Sequence, residues 1–200
     1  MLNTRFLLFG SVIVFLCPLL GQAQSPSWLI PKDVVVQHAG SIGYFSAGVG
    51  YHLLRNNRGS LDFSYGYVPE GKGGSLRIAS AKFAYRPLEV DLGNWGKLFP
   101  LNPGAFISYH FGKEFDLYWD KDIYQEGYYW WSSAVRPHVS LSAELKLDGE
   151  KVLKAGKIKA ITLYTEFNTN ELYLVSLIQN VGGLPLADII KLGFGIRFGF

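Results

Sequence analysis

The residues best suited to nucleophilic chemistry in this chain are His138 and Ser140, which stand two positions apart. An imidazole can serve as general base for a serine hydroxyl, and a carboxylate can orient the imidazole. Glu144 and Glu150 are the nearest glutamates that could supply that carboxylate. His138, Ser140 and Glu144 are therefore the candidate catalytic set, provided that the fold brings them within hydrogen-bond reach of one another.

The string His138-Val-Ser140 resembles the His-x-Ser motif of the outer-membrane lipid A 3-O-deacylases, eight-stranded barrels that use a Ser/His/Glu triad. The resemblance covers three residues, and this chain has Leu141 where that family has asparagine. It implies a hydrolase that acts on a membrane lipid. Alternation along a strand opposes this function, because it places Val139 and Leu141 on the face opposite His138 and Ser140. A bulge before Pro137 would reverse that parity.

Other reactive side chains lack the spacing that metal and phosphate sites need. The stretch 71–74 does not have P-loop spacing and is expected to form a hairpin loop. The histidines stand singly, so we expect no metal site and no cofactor. They are His38, His52, His110 and His138.

The composition excludes several classes of protein. The 200 residues include 19 Lys+Arg and 16 Asp+Glu, a formal charge of +3 that is too balanced to indicate a nucleic-acid partner. A mean hydropathy of +0.13 is too low for a bundle of membrane helices. With 48% hydrophobic residues, 23 glycines and one cysteine, the chain is neither disordered nor a disulfide scaffold.

The N-terminus has the features of a secretory signal peptide over residues 1–24. Arg5 supplies the positive charge, 6–20 is an apolar run, and small and polar residues follow at 21–24. A membrane anchor is the alternative, although the run is shorter than the roughly 20 residues that a span requires. Cleavage would remove Cys17 and leave one domain over 25–200.

The last ten residues, 191–200, alternate between an apolar face and a face of glycine and cations. A soluble sandwich would bury the apolar face in its core. The pattern resembles instead the C-terminal assembly signal of bacterial outer-membrane β-barrels, in which apolar side chains meet lipid and small or polar ones meet the lumen. The residues that carry the assembly signal are Phe194, Phe198 and Phe200.

Comparable alternation recurs along the chain, and it predicts an all-β protein, a transmembrane antiparallel up-and-down β-barrel of eight strands. The turn at 55–59 would be periplasmic, and 68–74, 112–133 and 168–188 extracellular. The stretch 87–103 would be a periplasmic connection of unusual length, which leaves a ten-strand count open. The predicted strands lie near 34–38, 45–53, 60–67, 79–86, 105–111, 136–146, 161–167 and 191–200.

Two of the predicted extracellular loops have distinctive sequences. Residues 115–133 interleave aromatic and acidic side chains, which suits contact with a carbohydrate or protein but is also typical of an aromatic girdle. In 170–181, apolar residues recur at helical spacing after Thr169 or Asn170 as a cap, which predicts a short helix in the last loop. The candidate contact residues of the aromatic loop are Tyr118, Trp119, Trp130 and Trp131.

Alternation places nine titratable side chains inside the barrel. Cations and potential cations outnumber the acids six to three. Because side chains fill the interior of a small barrel and buried charges require partners, we expect an ion-paired plug, with a narrow solute or proton path as the alternative. The nine are Asp62, Lys82, Arg86, His110, Arg136, His138, Glu144, Glu166 and Arg197.

These observations predict a non-enzymatic outer-membrane β-barrel protein whose extracellular loops serve interaction or envelope structure. The alternatives are a deacylase-like hydrolase that modifies lipid A, and a narrow solute channel. The expected partners are membrane lipid and lipopolysaccharide, the outer-membrane assembly machinery, and a protein or glycan at the extracellular loops. No nucleic-acid partner is expected.

Overall fold

The computed structural model describes residues 29–72, 74–113, 115, 117, 132–153, 156–180, 183 and 185–200. The predicted signal peptide, 1–24, lies outside these residues. The strands are β1 (Asp33–Ala39), β2 (Phe45–Leu53), β3 (Gly59–Val68), β4 (Leu76–Tyr85), β5 (Val90–Asp91), β6 (Lys97–Phe111), β7 (Val135–Asp148), β8 (Ala160–Asn170) and β9 (Lys191–Gly199). The helices are α1 (Gly149–Leu153), α2 (Glu171–Gln179) and α3 (Leu186–Ile189), and 3₁₀ turns occupy Arg55–Asn57, Glu70–Lys72 and Gly93–Trp95.

Eight of the strands close into an antiparallel barrel. The sheet runs in the order β4-β3-β2-β1-β9-β8-β7-β6, and β4 also pairs with β6, which joins its two edges. The first strand pairs with the last, from Asp33 opposite Gly199 to Ala39 opposite Gly193. Every pairing is antiparallel, so the connectivity is up-and-down. The prediction of an all-β barrel of eight strands is confirmed.

The stretch 87–103 is not the long connection that the sequence predicted. β6 begins at Lys97, and the two residues of β5 pair with its first two. The register of β6 against β7 shifts between Phe99 and Asn102, beside Pro100 and Pro103. A bulge and prolines interrupt the alternation from which a strand is recognised. The extra residues therefore extend an existing strand and add no pair to the barrel.

The barrel has two ends that differ in their connections. The near end holds Asp33 and Phe200, together with the described parts of the connections that follow β2, β4 and β7. The far end holds the described parts of the connections that follow β1, β3, β6 and β8. Helix α2 lies at the far end, where the Asn170 side chain accepts a hydrogen bond from the Tyr173 N–H at 3.0 Å. The predicted helix and its Asn170 cap are confirmed.

Alternation along the strands separates an exposed apolar exterior from a polar interior. Phe194 on the outer face is 51% exposed, whereas Asp62 on the inner face is 1% exposed. Aromatic and aliphatic side chains are exposed on the outer faces of all eight barrel strands. A barrel built for water would bury its apolar residues and expose its polar ones, so the polarity here is inverted. Of the helices in the described part of the chain, none has the length and apolar character needed to cross a membrane.

One close contact inside the barrel requires glycine. Gly195 on β9 lies directly opposite Tyr164 on β8. A Cβ at position 195 would come within 2.2 Å of the Tyr164 ring. The ring has little freedom to move away, because its hydroxyl donates a buried hydrogen bond to Gln37 Oε1 at 2.9 Å. The absence of a side chain at 195 therefore makes room for the tyrosine.

We expect Gly195→Ala to destabilise the barrel, because the added methyl overlaps the Tyr164 ring. The loss should be roughly 1–3 kcal/mol, as for overpacked interiors, measured by urea unfolding of the refolded protein. Gly71→Ala is the matched control, since a Cβ at position 71 would meet nothing within 4 Å. Equal unfolding midpoints for the two variants would contradict the packing role of Gly195.

Candidate functional site

Arg197 is the centre of the first of three groups of ion pairs in the lumen. Its guanidinium binds Asp62 through two hydrogen bonds, Nη1 to Oδ1 at 2.8 Å and Nη2 to Oδ2 at 2.7 Å. Nη1 also donates to Asp33 Oδ2 at 3.0 Å. His52 Nε2 lies 2.9 Å from that same oxygen. This group joins β9, β3, β1 and β2 across the near half of the lumen.

The second group surrounds Lys82. Its ammonium donates to Glu166 Oε2 at 2.9 Å and to Gln37 Oε1 at 3.1 Å. Tyr164 donates to the same Gln37 oxygen at 2.9 Å. Asn168 donates to the other Glu166 oxygen at 3.2 Å. Both carboxylate oxygens and the amide oxygen therefore have partners, as buried polar groups require.

The third group is a two-point contact between Arg86 and Glu144. Arg86 Nε lies 2.7 Å from Oε2, and Nη2 lies 3.1 Å from Oε1. The guanidinium also lies over the Phe99 ring, 5.8 Å from its centroid. A further pair, Arg136 Nη1 with Glu171 Oε1 at 2.7 Å, links β7 to the first residue of helix α2.

We call these ion pairs and their hydrogen-bonded neighbours the lumen network. Two of its salt bridges join strands that are not adjacent in the sheet, β9 with β3 and β4 with β8. The side chains therefore bridge the interior from wall to wall. Each charge is stabilised by a partner at 2.7–3.0 Å, which offsets the cost of removing it from water.

The structure adds two acids to those that alternation placed inside. Asp33 lies one residue before the predicted strand 34–38 and shares its inner face with Val35 and Gln37, so extending that strand would have identified it. Glu171 follows the helix cap and turns towards Arg136. The sequence count of three acids therefore missed two of the network's carboxylates.

The candidate catalytic residues are not joined into a triad. His138 Nε2 lies 2.9 Å from Ser108 Oγ on β6, and Glu144 is engaged by Arg86. Ser140 lies opposite Gly104 on β6, one step along the inner face from His138. In the described part of the chain, no hydrogen bond joins His138 to Ser140 or to Glu144.

A cavity of about 250 Å³ lies at the far end of the lumen. Its floor includes His138, whose ring stacks on Phe106 with centroids 4.2 Å apart. His110 Nδ1 donates to the Ala134 carbonyl at 3.2 Å. The side chains that give the cavity its chemistry are Ser41, Ile78, His110, His138, Tyr173 and Lys191.

The remaining site predictions concern the assembly signal, metal ligands and the aromatic loop. Phe194 and Phe200 of the assembly signal are exposed on the outer surface, and Phe198 is half-buried. No group of three or more potential metal ligands occurs among the residues that the structure describes. The loop contact candidates Tyr118, Trp119, Trp130 and Trp131 lie outside those residues.

Comparison with known protein families, with curated proteins and with solved structures finds no match to this chain.

We expect Lys82→Met to destabilise the barrel far more than Lys97→Met. Lys82 and its partner Glu166 are 6% and 3% exposed, so the substitution leaves a buried carboxylate without its cation, at a cost of about 3–5 kcal/mol. Lys97 and Glu89 form the matched pair at the surface, with exposures of 49% and 30%, and its loss should cost ~1 kcal/mol or less.

Urea unfolding measures both changes. The double variant Lys82→Met/Glu166→Leu should recover part of the loss, because it removes the unpaired charge. A Lys82→Met barrel as stable as the Lys97→Met barrel would show that the lumen network does not stabilise the fold.

Proposed function

We propose that this protein is a non-enzymatic outer-membrane β-barrel, closed to solutes, that holds its far-end loops and helix α2 at the cell surface for interaction or envelope structure. The observation that carries the proposal is the exposed apolar exterior of a barrel whose interior is charged. A soluble monomer rarely exposes apolar patches larger than a few hundred Å². Lipid would cover these side chains at no cost in solvation.

The strand lengths support a membrane setting. A transmembrane strand needs about 9–11 residues. β2 has 9 residues, β3 and β4 have 10 each, and β8 has 11. Closure also satisfies the backbone hydrogen bonds of both edges, which a strand surrounded by lipid cannot obtain from water.

The two ends of the sequence favour the outer membrane over other membranes. The predicted signal peptide, 1–24, would direct export, and the C-terminal pattern ending at Phe200 would engage the outer-membrane assembly machinery. In this orientation the near end, with its short turns, faces the periplasm. The far end then meets lipopolysaccharide and any protein or glycan partner.

The lumen network favours a closed barrel over a channel. Salt bridges from Lys82 to Glu166 and from Arg197 to Asp62 cross the interior. A permeating solute would have to separate buried ion pairs whose partners lie on opposite walls of the barrel. Separation of even one buried pair is strongly unfavourable. We therefore propose that the barrel does not conduct.

The position of His138 favours a non-enzymatic role over deacylation of lipid A. His138 and Ser140 lie on the lumen side, whereas lipid would contact the outer face at Val139 and Leu141. A nucleophile and its base must both reach the substrate. The lumen provides no such access from the outer face.

The membrane setting is tested by placing a charge on the outer face. Leu141, near the middle of β7, is 41% exposed, and Leu153, in the near-end helix α1, is 46% exposed. In lipid, Leu141→Arg should cost ~2–4 kcal/mol, while Leu153→Arg should cost close to nothing because it lies beyond the bilayer. In water the two substitutions would be tolerated equally.

The measurement is the fraction of each variant that folds into lipid vesicles and resists urea. Equal folding of both variants, or recovery of the wild-type protein in the soluble periplasmic fraction, would contradict the membrane setting. Stepwise conductance in planar bilayers would contradict the closed lumen. A change in the acyl chains of lipid A on expression, read by mass spectrometry, would contradict the non-enzymatic role.

A further inference from the structure

We propose that the far-end cavity binds a small organic carboxylate, held between Lys191 and His138. This goes beyond a structural or loop-mediated role, because it assigns the far end a ligand of its own. The cavity is formed by described residues of the β1–β2 turn, the far ends of several strands and the start of helix α2.

The first observation is a buried nitrogen without a protein partner. His138 is only 4% exposed, and its Nδ1 has no hydrogen-bond partner within the described chain. Nε2 is already committed to Ser108, and the ring is fixed by stacking on Phe106 at an interplanar angle of 6°. The ring cannot easily turn to find another partner. Buried polar atoms nearly always have one, so Nδ1 points to a group supplied from outside the protein.

The second observation is the charge of the cavity lining. Lys191 contributes an ammonium, and no aspartate or glutamate is among the described residues that line the cavity. Glu171, which follows the lining residue Asn170, is paired through Oε1 with Arg136 at 2.7 Å. The Lys191 ammonium lies over the Tyr173 ring, 5.4 Å from its centroid, and has no carboxylate partner among the described residues. An anion is the ligand that this lining would complement.

The His138 ring adds a directional contact. A neutral imidazole has one donor nitrogen and one acceptor nitrogen. The Ser108 hydroxyl can donate to His138 Nε2, which places the proton of the ring on Nδ1. Nδ1 can therefore donate to an anion that enters beside Lys191, as can the hydroxyl of Tyr173.

The size and the apolar wall decide the kind of anion. A volume of about 250 Å³ corresponds to roughly eight water molecules, which is more than a bare inorganic anion fills. Val68 and Ile78 form an apolar part of the lining. The cavity therefore suits a carboxylate attached to a short aliphatic or aromatic group, with its charge towards Lys191.

Three probes of equal size and different charge test the proposal: benzoate, benzamide and benzylamine. Each is titrated into the purified, refolded barrel in neutral detergent micelles, with calorimetry for affinity and ¹⁵N-histidine NMR for location. We expect saturable binding of benzoate with a shift of the His138 ring signals, and binding of the amide and the amine weaker by about tenfold or more. Phosphate, titrated in the same way, should bind more weakly than benzoate.

Two pairs of variants locate the site. Lys191→Met and His138→Gln should each weaken benzoate binding by about tenfold. Lys151→Met, an exposed near-end lysine, and His38→Gln, an exposed outer histidine, are the matched controls and should leave it unchanged. Lys191 is exposed at the rim, so its variant remains informative if the His138 variant does not fold.

The proposal is overturned if no probe binds saturably, if benzylamine or phosphate binds as tightly as benzoate, or if Lys191→Met binds benzoate like the Lys151→Met control. The measurement takes place in detergent and needs neither insertion nor conductance. A failure here therefore leaves the proposed membrane role in place, and a failure of the membrane role leaves this result standing.

Discussion

A charge inside a narrow barrel is stable only when an opposite charge meets it there, and the architecture of this protein follows from that constraint. Arg197 reaches Asp62 and Asp33, Lys82 reaches Glu166, and Arg86 reaches Glu144. Because Arg197–Asp62, Lys82–Glu166 and Arg86–Glu144 each link parts of the wall that are not neighbours in the sheet, these charges hold the walls at a fixed separation. The pairing accounts for an interior that is polar yet buried, and it explains why an apolar surface is left for the outside.

The arrangement of strands was largely predictable, whereas the pairing of charges was not. Alternation placed Asp62, Lys82 and Glu166 inside, since the face of the sheet to which a side chain points depends only on the position of the residue along its strand. Which acid meets Lys82 depends on the tilt and stagger of strands that lie 84 residues apart in sequence, and local patterns do not contain this information. For the same reason, local patterns did not reveal that His138 forms its hydrogen bond with Ser108 on β6 and not with the predicted Ser140. At Phe99–Asn102 the pattern failed because a register shift and two prolines hid the strand.

The two halves of the lumen have different chemical character. In the near half, both oxygens of Asp62 and of Glu144 are used in two-point contacts with arginines. In the far half, His138 has a nitrogen without a partner among the described residues, and the Lys191 ammonium lies over an aromatic ring. A base held by ion pairs beneath a mouth that keeps a free donor is an arrangement that separates stability from recognition. Changes at the mouth can then alter binding without loosening the barrel.

The pairing of β1 with β9 determines when the fold can be completed. The seam joins the first and last strands of the barrel, and Arg197, the cation that pairs with Asp33 and Asp62, lies on the last of these strands. A nascent chain that has released β1 to β8 still has two unpaired edges and two acids without their arginine. Contacts between such distant segments are slow to form. Closure of the barrel therefore waits for β9, and a chain without that strand must be kept from aggregating until the strand arrives.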